Sequence, residues 1–139
     1  MRLIADISVV LAWWFEEPQS AQALDVLPRI EKEGLLVPPL WWSELENGIL
    51  MGERRGRKTP AESMAFLKLV RTLPIQTDDA PRRRVSDDIL DIARRHQLTA
   101  YDATYAELAI RRGRPLATFD AALRRCGGAL GVKIIPAAT

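Results

Sequence analysis

A three-layer α/β domain is the fold class this sequence predicts: a central, twisted and mostly parallel sheet of about five strands, covered by helices on both faces. Three observations predict it. Short apolar runs of strand length alternate along the chain with stretches of helical period, the pattern of a parallel sheet whose crossovers are helices. The length of 139 residues suits one compact domain, so residues 1–139 are read as a single unit. At 47% hydrophobic and 27% charged residues, the composition is that of an ordinary globular protein.

The elements follow in order. Arg2 to Ala5 reads as the first strand, and Val9 to Phe15 as a short helix directly after it. Ser20, Ala23, Leu24, Leu27 and Ile30 recur at helical spacing up to Gly34, and Pro28 inside this pattern is expected to kink or split the helix. Leu35 to Val37 is the second strand. Pro39 suits a first helical position, and the helix it opens carries Glu44 to about Gly52. A basic loop from Gly52 to Lys58 leads to Thr59-Pro60-Ala61-Glu62, a capping box with proline in the first turn. Phe66, Leu67, Val70 and Leu73 form the buried stripe of that helix. Pro74-Ile75-Gln76 is a weak strand. Asp79 and Pro81 start a helix with the stripe Val85, Ile89, Ile92, Ala93 and His96. Thr99 caps the next, with Ala103, Ala106, Ala109 and Ile110 facing inward. Leu116 to Thr118 and Val132 to Ile135 are the last strands, with a short helix from Ala121 to Arg125 between them.

Charge and rare residues narrow the function. The net charge of +2 is a mild lean toward anionic partners, but the basic residues are clustered: Arg54-Arg55-Gly56-Arg57-Lys58, Arg82-Arg83-Arg84, Arg94-Arg95 and Arg111-Arg112-Gly113-Arg114. Such runs are more often solvated faces than nucleic-acid contacts. Cys126 is the only cysteine and His96 the only histidine, which excludes an intramolecular disulfide, a cysteine- or histidine-rich zinc site and cleavage of RNA by a histidine pair. No apolar run approaches a membrane span, and Asp6 and Ser8 interrupt any signal-peptide layout, so the expected location is the cytoplasm.

The chemistry-bearing residues are four acids. Asp6 closes the first strand, Asp120 follows the strand at Leu116-Ala117, Asp102 opens an alanine-rich helix, and Glu44 lies in the helix after the second strand. Strand ends and helix starts are where an open α/β sheet builds its ligand crevice. Carboxylates gathered in one crevice repel each other unless a cation holds them. The pattern therefore points to a hard divalent metal and to chemistry on phosphates. Each acid also has a plain reading: Asp6, Asp102 and Asp120 all suit helix caps, and Glu44 suits an exposed helix face. What unites them is their position at one end of the predicted sheet. Glu46 lies about 200° around the helix from Glu44 and reads as solvated. Ser8 and Thr118, each two residues from a candidate aspartate, suit orienting a carboxylate or a metal-bound water, or simple capping. Tyr101, Tyr105 and one ring of each of Trp13-Trp14 and Trp41-Trp42 read as packing residues, and Cys126 as inert.

These residues resemble a PIN-domain ribonuclease of the VapC type, the toxin of a type II toxin–antitoxin pair. The resemblance starts at Asp6-Ile7-Ser8 with Val9 to Trp13, continues through Val37-Pro38-Pro39-Leu40-Trp41 to Glu44 and Asn47, and is sharpest over residues 98–123, with Tyr101-Asp102-Ala103, Tyr105 and Thr118-Phe119-Asp120. Phe119 stands where the family commonly has a smaller aliphatic residue, a matter of packing. The resemblance implies a PIN-like fold and an acidic quartet of Asp6, Glu44, Asp102 and Asp120 that holds Mg²⁺ or Mn²⁺, with Ser8, Asn47 and Thr118 as supporting positions. It further implies endonucleolytic hydrolysis of RNA leaving 5′-phosphate and 3′-hydroxyl ends, a homodimer, and a small antitoxin seated near the tryptophans and the helices from Leu40 to Leu73. Two other readings use similar parts. A non-catalytic PIN-like module that binds metal, RNA or a partner would be marked by a missing acid. A phospho-acceptor domain would want paired acids at the first strand, where Asp6 is single.

Overall fold

The computed structural model describes residues 1–137; Ala138 and Thr139, the end of the expected 1–139 domain, lie outside the described residues. Five strands form one parallel sheet: β1 (Leu3–Ala5), β2 (Leu35–Val37), β3 (Ile75–Thr77), β4 (Leu116–Ala117) and β5 (Ile134–Ile135). Their order is β3-β2-β1-β4-β5, with every neighbouring pair parallel. The chain winds outward from β1 in one direction through β2 and β3, then returns to its other side for β4 and β5. The reversal falls between β1 and β4, and this is the switch point at which a doubly wound sheet opens its crevice. β1 and β2 are wholly buried, as their unbroken apolar sequence requires.

Seven helices among the described residues complete the three layers: α1 (Ile7–Ala12), α2 (Ser20–Glu33), α3 (Leu40–Arg54), α4 (Pro60–Val70), α5 (Arg82–His96), α6 (Ala100–Arg112) and α7 (Ala121–Leu130). α1 packs on α2 and α3, and α3 on α4, while α5 lies along α6 and α6 touches α7. The capping box at Thr59 and Glu62 forms in both directions, at 3.1 and 3.0 Å.

Several sequence expectations need revision. The first helix begins at Ile7, two residues early, because Asp6 itself caps it. α2 runs unbroken through Pro28. The ring of Pro28 is on the exposed side, and so is Leu24, whose carbonyl loses its helical partner on a face open to solvent, so the helix need not split. Pro39 is the residue before α3, not its first turn. Ile110 is 46% exposed, one step past the buried face of α6, and Tyr101 is 62% exposed instead of packed.

Two glycines set how closely α1 and the segment after it approach α3. A Cβ on Gly52 would stand 2.6 Å from Cζ of buried Phe15, and one on Gly48 would stand 2.5 Å from Cδ1 of Leu11. Phe15 is boxed in by Trp14, 5.0 Å between ring centroids, and by the Arg57 guanidinium, 4.2 Å over its ring. Gly52→Ala should therefore destabilise the fold by about 1–2 kcal/mol, overpacking exceeding the gain in helix propensity. Gly48→Ala should be close to neutral, because the end of a partly exposed leucine can swing away. Urea midpoints of the two variants check the contrast; equal midpoints would refute it.

Candidate functional site

Asp6 and Asp120 flank the switch point. β1 and β4 pair with Ala5 opposite Ala117, so the two aspartates leave adjacent strand ends. Each caps the helix that follows: Asp6 accepts from the Ser8 N–H at 3.0 Å, and Asp120 from the Leu123 N–H at 3.0 Å. The capping reading therefore holds for both, and each cap fixes its carboxylate at the end of the sheet. Asp102 sits in the first turn of α6, whose cap Thr99 accepts from the Asp102 N–H at 3.1 Å. Glu44 lies in the second turn of α3 and accepts a 2.5 Å hydrogen bond from the Tyr105 hydroxyl on α6.

The four acids sense one another's charge. Burial pushes the Asp6 carboxyl up to about 6, and the charge of Asp120 adds to the effect against the hydrogen bonds from Ser8 and Thr118. Burial raises Asp102, reinforced by Asp120. Burial raises Glu44, with Asp102 pushing the same way and the Tyr105 hydroxyl pulling back. The Tyr105 phenol is itself raised, by burial first and then by Glu44, Asp6 and Asp102. A chain of repulsion thus runs Asp6–Asp120–Asp102–Glu44 across the crevice. Among the described residues, no group of three or more His, Cys, Asp or Glu side chains is arranged to hold a metal ion. Asp6 is turned into its hydroxyl partners and Glu44 toward Tyr105. The donor set nonetheless suits a hard divalent cation: all four donors are carboxylate oxygens, and three are held in a less acidic, desolvated state that a cation would relieve.

Ser8 and Thr118 act together on one carboxylate. The Ser8 hydroxyl donates to Asp6 Oδ1 and the Thr118 hydroxyl to Asp6 Oδ2. The Ser8 and Thr118 hydroxyl oxygens in turn accept the Phe119 and Asp120 N–H groups, each at 2.9 Å, which ties β1 to the β4 end and orients Asp120 as well. Asn47 is exposed on α3 beside Glu44, lining the same pocket. Tyr105 is the residue sequence reading missed: expected only to pack, it is buried and positions Glu44. Its signal was present, because it lies three residues after Asp102 and so shares that face of the helix.

The basic clusters divide. Arg111 and Arg112 are spent on Asp78 and Glu107, and Arg95 pairs with Asp91 at 3.0 Å. Arg55 and Arg57 line a depression with Ser8, Leu11 and Gly48, although Arg57 also meets Glu17 at 3.2 Å. An apolar groove forms between α2 and α4, lined by Trp13, Trp14, Leu24, Leu27, Phe66 and Leu69. Only the first tryptophan pair contributes to it: Trp41 is fully buried, and Trp42 donates to Thr77 Oγ1 at 3.1 Å. No helix among the described residues is long and apolar enough to cross a membrane.

Comparison with known proteins agrees with this architecture. Two solved structures superpose over nearly the whole chain. PAE2754 from Pyrobaculum aerophilum is 25% identical, with a TM-score of 0.69 over 97% of this chain and 90% of its own. FitAcB from Neisseria gonorrhoeae is 16% identical, with a TM-score of 0.66 over 95% of each chain, and shows likeness of fold. No curated protein matches significantly. The PIN domain family model spans residues 3–129, from the strand that ends at Asp6 through the helix that Asp120 caps. With that match covering the switch point and all four acids, the chain belongs to the PIN domain family.

Proposed function

We propose that this chain, read as one domain over residues 1–139, is a metal-dependent endoribonuclease of the VapC type, a cytoplasmic toxin that hydrolyses phosphodiester bonds in RNA. Membership of a family whose domains are generally nucleases supports hydrolysis of nucleic acid. One observation carries the finer reading. Asp6, Asp120, Asp102 and Glu44, from four separate stretches of chain, form a line of carboxylates in which each repels the next. Holding uncompensated charges together has a stability cost that only a function requiring the cation would maintain.

Asp6, Asp102 and Asp120 would hold Mg²⁺ or Mn²⁺, with Glu44 directly or through water. Such an ion lowers the pKa of water to give a hydroxide and stabilises charge on the leaving oxygen. Ser8 and Thr118 fix both oxygens of Asp6, and Tyr105 fixes Glu44. Either Glu44 or Asp120 takes the proton from the attacking water. Arg55 and Arg57 attract the flanking phosphates. The groove between α2 and α4 is the seat of a small antitoxin, and the toxin works as a homodimer. A non-catalytic binding module is the weaker reading, because none of the four acids has been lost.

Purified protein incubated with structured RNAs should cut them with Mg²⁺ or Mn²⁺ and not with EDTA. Cleavage that persists in EDTA, or none with either ion, would overturn the proposal. Because the ion relieves repulsion in the fold, millimolar Mg²⁺ should also raise the melting temperature by a few degrees. A melting curve indifferent to Mg²⁺ and Mn²⁺ would count against a metal centre.

A further inference from the structure

We propose that Tyr101 and the pocket beside it form a nucleobase subsite, in which one unpaired base of single-stranded RNA stacks on the phenol ring. The inference rests on the nucleic-acid reading above and adds how the substrate is gripped.

Tyr101 lies in the first turn of α6, immediately before Asp102, and 62% of it is exposed. The sequence marks it for packing, yet the fold leaves the ring in water. It lines a pocket of about 400 Å³ together with Ile7, Leu11, Leu40, Ser43 and Asn47, and Glu44 forms part of the wall. Apolar side chains and an aromatic face suit the flat surface of a base. The Asn47 carboxamide and Ser43 hydroxyl suit its polar edge, since an amide offers both donors and acceptors.

The surroundings select a nucleic acid over other planar ligands. Leu11 and Gly48 also line the next depression, which carries Ser8, Arg55 and Arg57. A continuous path therefore leads from the aromatic pocket, with Glu44 in its wall, past Ser8 to a basic loop. An anionic chain bearing flat bases matches that sequence of surfaces: base on Tyr101, phosphate at the acids through the cation, next phosphates at the arginines. A duplex keeps its bases stacked inside and cannot use the pocket.

The test is fluorescence titration of a short single-stranded RNA carrying 2-aminopurine, at low salt with Ca²⁺ as the hard cation, the probe being checked by gel to be intact after each titration. Wild type should quench the probe on binding. Tyr101→Ala should bind about 5–100-fold more weakly, the worth of one base–aromatic stack, and lose the quench. Tyr101→Trp should restore both. The melting temperature of Tyr101→Ala should match wild type, which separates lost stacking from lost structure. Equal affinity and quench in Tyr101→Ala, or an unquenched probe at saturating wild type, overturns the subsite. The nuclease reading fails separately: Tyr101-dependent quenching by a protein that cuts no RNA with Mg²⁺ or Mn²⁺ would leave the subsite standing and remove the chemistry.

Discussion

Asp6→Asn should lower RNA cleavage by about 10³-fold or more, and should at the same time raise the stability of the metal-free protein. The loss of activity follows from removing a carboxylate from the proposed cation site, where several kcal/mol of transition-state stabilisation are at stake. The gain follows from electrostatics. Asp6 is 6% exposed, and its carboxyl is pushed up to about 6 by burial, with Asp120 adding repulsion. At neutral pH the folded protein therefore holds this group ionised at a cost of about 1–3 kcal/mol relative to the unfolded chain. Asparagine has the same shape without the charge. Its oxygen can accept from the Ser8 N–H and its amide can donate to the Thr118 hydroxyl.

The pH dependence has a definite sign. The folded value lies above the unfolded one, so between about pH 4 and 6 the native state binds the proton more tightly. Stability from this group is greatest below that window, falls as pH rises through it, and is flat above. Glu44 and Asp102 are raised too and tilt the same way. In EDTA, the melting temperatures of wild type and Asp6→Asn should coincide near pH 4 and separate by several degrees by pH 7, the variant being higher. Asp78, a depressed acid that acts in the opposite direction, is common to both proteins and cancels in the difference. A variant less stable than wild type at pH 7 would show that the Asp6 carboxylate is well satisfied in the fold and would refute the repulsion account.

What was readable in the sequence was what local chemistry determines. β2 was placed to the residue, and the Thr59 box was recognisable, because apolar runs and caps act over a few positions. The positions of the acids are legible because each stands at a strand end or early in a helix. What was not legible is pairing across the chain. Thr118 and Asp6 are 112 residues apart, and Tyr105 and Glu44 are 61 apart. No local rule says that Thr118, beside Asp120, spends its hydroxyl on Asp6. Pro28 failed as a breaker because helix disruption depends on whether the freed carbonyl can reach water, a property of the tertiary fold.

Arg111→Ala is expected to cause the largest loss of stability, about 2–3 kcal/mol. Arg111 belongs to a basic run that the sequence marks as a solvated face more often than a nucleic-acid contact; instead it pairs with two buried carboxylates. Its Nη2 and Nη1 reach the two oxygens of Asp78 at 2.8 and 3.2 Å, and its Nε reaches Glu107 at 2.6 Å. Asp78 and Glu107 are 8% and 5% exposed. Arg112 adds a single bond to Asp78 at 3.2 Å and none to Glu107. Burial alone would raise Asp78, but the hydrogen bonds and charges of Arg111 and Arg112 together hold it below the usual carboxylate range. The network fastens the last turn of α6 to the segment after β3, and so fixes the helix that presents Asp102 and Tyr105. Removing the guanidinium strands one largely buried carboxylate and half-strands another. Lysine should rescue little, because a point charge cannot serve both partners in the plane that the fork spans. Glu107→Gln should return part of the loss in the Arg111→Ala background by removing the worse orphan. The deficit should also shrink as pH falls toward 4, since the Asp78 carboxyl, no longer held down by Arg111, takes up a proton more readily in the variant. Urea denaturation of the single and double variants at pH 7 and pH 5 measures all three effects. A loss below about 1 kcal/mol at pH 7, or one that pH and Glu107→Gln leave unchanged, would mean that the pairs are merely adjacent and that α6 is held by its apolar face alone.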